Sequence, residues 1–173
     1  MAAINRGLLR LLLPNERGAD YLRRKDREKD VVFAMEVLRE SDYATLATVN
    51  PDGTPYCVPI SPVLMGETVY FHCAAEGKKL DNIKQNNNVC ISCACDVKPM
   101  PENFTTLYKS AVLTGKCEIV SDDTEKKLAL REICEKYAKS NMSGFDSQIE
   151  KYLHKTCVCK IVVEKITGKA NIK

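Results

Sequence analysis

Eleven consecutive positions, Val69-Tyr70-Phe71-His72-Cys73-Ala74-Ala75-Glu76-Gly77-Lys78-Lys79, bring together an imidazole, a thiol, a glycine and two adjacent lysines. His72 is one of two histidines in the chain. An imidazole can hold or release a proton near neutral pH. A glycine that opens a helix, followed by two lysines, suits a phosphate. It offers free N–H groups, a favourable dipole and mobile cations. Asn82, one turn on, would add a neutral donor. Two plainer readings stand beside these. Lys78 and Lys79 could decorate an exposed helix, and His72 could be a half-buried, hydrogen-bonded strand residue. No serine nucleophile motif or paired-carboxylate arrangement makes His72 a hydrolase base. No G-x-G-x-x-G or P-loop is present, so neither phosphate site of that kind is supported.

The nine cysteines are the second chemical resource: Cys57, Cys73, Cys90, Cys93, Cys95, Cys117, Cys134, Cys157 and Cys159. The number is odd and the chain is long for a small secreted scaffold, so a disulfide framework is not expected. Cys90, Cys93 and Cys95 form C-x-x-C-x-C, a possible metal motif. Their surroundings are apolar and strand-like, and no second ligand pair with zinc spacing accompanies them. Cys157-Val158-Cys159 sits in a similar apolar run. These thiols read as small hydrophobes, and no metal ligands are assigned. A metal-binding interaction protein built on Cys90, Cys93 and Cys95 is the rival they leave.

The elements that must position these groups follow from turn signals and periodicity. Lys25 to Glu40 has helical spacing through Val31, Phe33, Ala34, Val37 and Leu38. Tyr43–Val49 and Thr54–Ser61 flank Asn50-Pro51-Asp52-Gly53, a strong turn, and read as a hairpin. Pro59 lacks a ladder donor and points to an edge or an interruption. Thr68–Cys73 is the third strand. Its alternation puts Val69, Phe71 and Cys73 on one face and Tyr70 and His72 on the other. A short helix over Gly77–Asn86 and a strand over Val89–Cys95 come next. Lys98–Thr106, with two prolines, reads as a loop. Leu107–Val120 is a long strand bent at Gly115. Helices over Thr124–Lys139 and Asp146–His154 precede a last strand, Thr156–Ile166. The acids and capping side chains of Ser121–Glu125 mark the start of the first of these helices.

Six antiparallel-capable strands joined by short turns, with helices around them, make a mainly β protein with α (α+β). A closed or split barrel is the expected shape. The chain of 173 residues allows one domain with a sizeable core. Its net charge of +3 lacks the excess of a nucleic-acid binder. The basic run Leu22-Arg23-Arg24-Lys25-Asp26-Arg27 is interleaved with acid. No apolar run approaches the ~20 residues of a membrane span, and the Leu8–Leu13 segment is broken by Arg10. No export signal is evident, so neither nucleic acid nor membrane is an expected partner and a cytoplasmic location is.

Several segments occur together in a familiar order: Tyr43-Ala44-Thr45-Leu46-Ala47-Thr48-Val49, Asp52-Gly53-Thr54-Pro55-Tyr56, Val58-Pro59-Ile60-Ser61, Tyr70-Phe71-His72, Glu76-Gly77-Lys78-Lys79 and Asn82-Ile83. In this the chain resembles the pyridoxamine 5′-phosphate oxidase-like flavoproteins, and within them the nitroimidazole-resistance (nitroimidazole reductase) family. The resemblance covers roughly Arg23 to Lys169. It implies a six-stranded antiparallel split β-barrel with peripheral helices over 23–173, after an N-terminal extension over 1–22. It also implies a homodimer holding FMN at the subunit interface.

By the same resemblance, Gly77, Lys78 and Lys79 hold the flavin phosphate, with Asn82 close by. Val58, Pro59 and Ile60 run beside the isoalloxazine ring, and Tyr108 and Ser110 reach the flavin from the partner subunit. His72 lies near the flavin, in contact with cofactor or substrate, and is the candidate catalytic residue. Cys73 counts with the cofactor-binding residues and stands where a smaller residue is common, which would alter the pocket beside His72. The additional basic residues of the vitamin-oxidase branch have no convincing counterpart, which disfavours pyridoxamine phosphate as the substrate. The implied activity is electron transfer from reduced flavin to a small acceptor such as a 5-nitroimidazole. The alternatives are a non-catalytic flavin- or haem-binding module of the same fold, or a pyridoxamine 5′-phosphate oxidase-like enzyme.

Overall fold

A computed structural model describes residues 23–172. The extension expected over 1–22 lies outside them. The first helix, α1 (Val31–Glu40), starts later than its periodicity suggests. The Asp30 carboxylate accepts a hydrogen bond from the Phe33 N–H at 2.8 Å and fixes the N-terminus. Ahead of this cap the chain cannot continue the helix. Lys25–Arg27 makes one 3₁₀ turn, and β1 (Glu28–Lys29) pairs with the last strand.

The other strands are β2 (Ala44–Val49), β3 (Pro55–Ile60), β4 (Val63–Met65), β5 (Thr68–Ala74), β6 (Asn88–Met100), β7 (Thr105–Ile119) and β8 (Thr156–Asn171). The sheet therefore has eight strands, not six. The two additions, β1 and β4, have two and three residues, too short to show alternation in a sequence. All pairings are antiparallel, in the order β3-β2-β6-β7-β8-β5-β4, with β1 on β8. The end strands β3 and β4 are consecutive in the chain, joined only by Ser61 and Pro62. The sheet must curl until its two ends are neighbours, yet no ladder joins them. That is a barrel with a split, closed covalently where hydrogen bonds are missing.

The expected loop at Lys98–Thr106 is largely strand. β6 runs on to Met100, paired with β7 through Lys98↔Leu107, Pro99↔Thr106 and Met100↔Thr105. A bulge between Cys95 and Lys98, with Asp96 at φ 53, absorbs the irregularity that the prolines announce. The tip is a 3₁₀ turn, Pro101–Asn103, followed by Phe104, which is 98% exposed. β8 pairs with β7 only as far as Tyr108↔Asn171, so the tip projects as a two-stranded arm.

Two cores flank the sheet. The inner one gathers Leu46, Val69, Phe71, Ile91, Leu113 and Ile161 with Ala34, Val37 and Leu38 of α1. Burying each of the larger side chains stabilises the fold by about 1.5–3 kcal/mol. Close approach is written into two glycines. A Cβ at Gly168 would lie 3.1 Å from the Ala34 Cβ, and one at Gly115 would lie 2.2 Å from the Val162 carbonyl oxygen. Gly115 also marks a register shift. Thr114 pairs with Lys165 and Gly115 with Val163, so Glu164 is passed over. The extra residue keeps Cys159, Ile161 and Val163 before it, and Ile166 and Ala170 after it, in the core.

The outer core packs α3 (Asp123–Tyr137) and α4 (Phe145–Tyr152) over Val63, Tyr70 and Val158 through Ala129, Leu130, Ile133 and Phe145. Asp122 caps α3 by accepting from the Glu125 N–H. Among the described residues no helix is long and apolar enough to cross a membrane.

Candidate functional site

The helix α2 (Lys78–Gln85) follows β5 after a short exposed turn. Its N-cap, Gly77, has φ 135 and ψ 160, a conformation a side chain would strain. Glycine also means that no side chain caps the helix. The Leu80 and Asp81 N–H groups return to the Gly77 carbonyl at 2.9 and 3.2 Å. The Lys78 and Lys79 amides, one position earlier, form the uncapped end where a helix dipole is positive. Lys78 is exposed and its ammonium lies 5.0 Å from the centroid of the Tyr56 ring, a cation–π contact with β3. Lys79 is half-buried.

Asn82 does not face this end. It is 2% exposed, and its amide donates to the Thr48 Oγ1 and the Asn50 Oδ1, both at 3.0 Å. With Leu80 and Ile83 also buried, Asn82 bolts α2 to the β2–β3 hairpin. The helix N-terminus is thereby held against Tyr56.

His72 lies opposite Val158 on the outer face of β5, as the alternation required, and Cys73 faces the barrel interior. The imidazole is open to solvent on one side and crowded on the other. Burial first, and the charge of Lys79 second, push its pKa below the ordinary value, so the ring is neutral at pH 7. It stands at the edge of a cavity of about 390 Å³ between β5, α3 and α4, lined by Leu130, Ile133, Met142, Phe145 and Tyr152.

The segment Val58-Pro59-Ile60 belongs to β3, an end strand whose second edge carries no partner among the described residues. Pro55 and Pro59 suit such an edge. Val58 and Ile60 point into the inner core, and only the Pro59 side chain of the three faces outward. Tyr108 and Ser110 are on β7, which β6 and β2 separate from β3. Tyr108 receives a long 3.5 Å hydrogen bond from Arg27 Nη1, and Ser110 Oγ donates to the Lys169 carbonyl at 3.5 Å. The structure thus gathers Gly77, Lys78, Lys79 and His72 around the β5–α2 turn, with β3 alongside through Tyr56. It keeps Tyr108 and Ser110 apart from them within one chain.

Two features escape a sequence reading. One is an outer face across β3, β2, β6 and β7 that no helix covers among the described residues. Register sets Pro59, Thr45, Ser92 and Val112 in one row and Cys57, Ala47, Cys90 and Thr114 in the next. Every member is small or β-branched and none is charged. The small residues alternating with Ala44, Leu46 and Thr48 were the available signal. The other is the regrouping of the thiols. Strand parity puts Cys90 on the outer face and Cys93 and Cys95 inward, which divides the C-x-x-C-x-C motif. Cys73, Cys157 and Cys159 come together instead.

A search of curated proteins finds no match to the chain. Among solved structures, a candidate 5-nitroimidazole antibiotic resistance protein from Bacteroides thetaiotaomicron VPI-5482 is 27% identical. The match covers 82% of this chain and 84% of that one, with a TM-score of 0.68. An FAD-binding protein from Mesorhizobium loti is 19% identical over 84% of this chain and 98% of that one, with a TM-score of 0.62. An FAD and haem binding protein from Mycobacterium smegmatis is 18% identical over 85% and 74%, with a TM-score of 0.69. The last two bear on the fold alone. The pyridoxamine 5′-phosphate oxidase family profile matches residues 30–170, which is most of the chain. With the eight-stranded split barrel in the same residues, the chain belongs to the pyridoxamine 5′-phosphate oxidase family.

Proposed function

We propose that the protein is an FMN-binding flavoprotein and an oxidoreductase that passes electrons from reduced flavin to a small acceptor, with 5-nitroimidazoles as the leading class. The observation that carries this reading is the uncapped N-terminus of α2. Gly77 leaves the Lys78 and Lys79 amides open, and two ammonium groups flank them. A phosphate monoester fits that donor set: N–H groups for its oxygens, the positive end of the helix and two lysines for its charge. Lys78 and Lys79 hold the phosphate, and the unpaired edge of β3 at Pro59 offers backbone groups to a flat ring. Bound flavin supplies the redox chemistry.

His72 contributes as a neutral imidazole. It offers one N–H donor and one acceptor nitrogen beside the Lys79 charge, enough to orient an acceptor or hold a proton at a ring nitrogen. A second copy of the chain completes the site. The bare face of small residues on β3, β2, β6 and β7 suits a sheet-on-sheet contact, and the arm ending in exposed Phe104 suits a reach across it. Tyr108 and Ser110, at the base of that arm, then contribute from the other subunit. The nine unpaired thiols fit a reducing compartment, the cytoplasm. The resemblance to the nitroimidazole-resistance branch, supported by the Bacteroides neighbour, favours nitroaromatic acceptors.

A second reading, a non-catalytic flavin- or haem-binding module, draws on His72 standing at an apolar cavity. The visible spectrum of the purified full chain, followed by reconstitution with FMN, separates the two. A flavin spectrum and reoxidation of the reduced protein by a nitroimidazole, under anaerobic conditions and faster than free FMN, support the enzyme. A Soret band, or no gain over free FMN, favours the module. A colourless protein that takes up neither cofactor refutes both. Replacing Lys78 and Lys79 together by Ala weakens FMN retention at least about 10-fold, the loss of ~1.4 kcal/mol or more of charge-assisted bonding. Unchanged retention refutes their phosphate role.

A further inference from the structure

The β5–β8 ladder sets Cys73 directly opposite Cys157 and Phe71 opposite Cys159. All four side chains point into the barrel. Cys157 and Cys159 are two residues apart on one strand and share a face. The three sulfurs of Cys73, Cys157 and Cys159 lie within 4.8 Å of one another. Cys159 is fully buried and Cys157 is 9% exposed, while Cys73 is half-exposed and gives the group a way out to solvent. Among the described residues no carboxylate or imidazole belongs to the group. The charges that act on it are positive: Lys79 on Cys73 and Lys126 on Cys157.

We propose that Cys73, Cys157 and Cys159 form a three-thiolate binding site for a soft monovalent cation, Cu(I). Thiolate sulfurs select soft ions, Cu(I) and Zn(II) foremost. Zn(II) takes four ligands in structural sites. The next thiol, Cys117, lies beside Cys159 and stands outside the three that meet one another. A trigonal three-sulfur site suits Cu(I). With a metal–sulfur bond of about 2.3 Å, the sulfurs of such a site stand about 4.0 Å apart. Small side-chain rotations close the difference from 4.8 Å, and the two paired strands fix the Cα positions. At neutral pH an ordinary cysteine thiol carries its proton. Binding is therefore an exchange without oxidation or reduction. Three S–H protons leave, three S–Cu bonds form, and the site carries a net charge of −2 beside Lys79 and Lys126.

This site does not rest on the flavin reading, because its ligands face the barrel interior and not the outer side of β5. The test uses reduced full-length protein under anaerobic conditions, titrated with Cu(I) against the chelator bicinchoninate, with flavin content recorded in parallel. One Cu(I) per chain survives the competitor, with release of three protons. Cys73→Ser, at the half-exposed position, lowers that retention at least about 100-fold. Cys57→Ser, exposed on the bare face, leaves it unchanged. Cu(I) that fails to survive the competitor overturns the site, as does equal retention in Cys73→Ser. Preferential retention of Zn(II) overturns the choice of metal. Should Cys157→Ser fail to fold, the Cys73→Ser comparison still decides.

Discussion

Asn82 is where the scaffold meets the proposed phosphate site, and Asn82→Ala tests that link. The substitution removes two 3.0 Å hydrogen bonds, to Thr48 and Asn50, from a side chain that is 2% exposed. Each is worth about 1 kcal/mol net. The emptied volume adds about 1 kcal/mol, because a buried site collapses only in part. The expected loss is about 3 kcal/mol. For a chain of this size ~2–4 °C accompanies each kcal/mol, so Tm falls by about 6–12 °C. Local consequences run further. An eight-residue helix has little stability of its own. Freed from the hairpin, α2 no longer holds its N-terminus against Tyr56, so FMN retention weakens with Tm although Asn82 faces away from the uncapped end. Thermal unfolding by circular dichroism gives the first quantity, and flavin release on gel filtration the second. A double-mutant cycle with Thr48→Val isolates the Asn82–Thr48 bond and gives a coupling of about 1 kcal/mol. A Tm within about 1 °C of the parent, or no coupling with Thr48→Val, refutes the reasoning.

Gly115→Ala forces a Cβ to within 2.2 Å of a backbone carbonyl, which no rotamer relieves, and costs about 2–3 kcal/mol in urea unfolding. Gly144→Ala meets only the Asn141 side chain, at 3.5 Å, and stays within about 0.5 kcal/mol. Equal effects at the two positions would count against the bulge at β7–β8. Tyr70 donates to Glu125 at 2.8 Å, and Lys160 holds the same carboxylate at 3.1 Å. Burial, then the bond to Glu125, pushes the Tyr70 pKa up to about 12. A folded pKa above the unfolded value of about 10 contributes stability that is whole below pH 10 and is lost as pH rises through 12. Denaturant titrations across that window find a shallower decline for Tyr70→Phe. Part of the decline persists, because Tyr137 is likewise pushed up to about 12. A slope identical to the parent's rules the Tyr70 contribution out.

The stretch from Val69 to Lys79 was legible because it is local. Alternation on β5 separated His72 from Cys73, and the Gly77-Lys78-Lys79 turn announced a helix end. Each needs only near neighbours in the sequence. What failed needed partners far along the chain. Glu28–Lys29 is a strand only because β8 runs beside it. Lys98–Met100 is a strand only because β7 takes up the pairing again after a bulge, and two prolines hid it. The grouping of the cysteines was hidden for the same reason. Spacing drew attention to Cys90, Cys93 and Cys95, which strand parity then divides between two faces. The group that does assemble joins Cys73 to Cys157 across a ladder that no local pattern records. Asn82 shows a subtler limit. Its spacing after Lys78 placed it on α2, but which face of that helix is buried depends on the hairpin beneath it.

Covering only part of the sheet separates stability from function in this chain. α1 fills the inner side, and α3 and α4 close the outer side of β4, β5 and β8. Among the described residues the outer side of β3, β2, β6 and β7 receives no helix, and its two central rows hold proline, threonine, serine, alanine, cysteine and valine in place of larger groups. Such a surface adds little to the stability of one chain. Its two central rows can admit another sheet or a planar ring at close range, because their side chains are short. A bulky residue at Ser92 or Ala47 would leave both cores intact and be felt only in the proposed dimer. The residues that could bind phosphate stand at one border of this face, through Tyr56 and Lys78. The residues proposed to reach a second subunit's flavin stand on β7 at the other. One chain cannot bring its own two borders together across four strands, so the site as proposed draws on two copies.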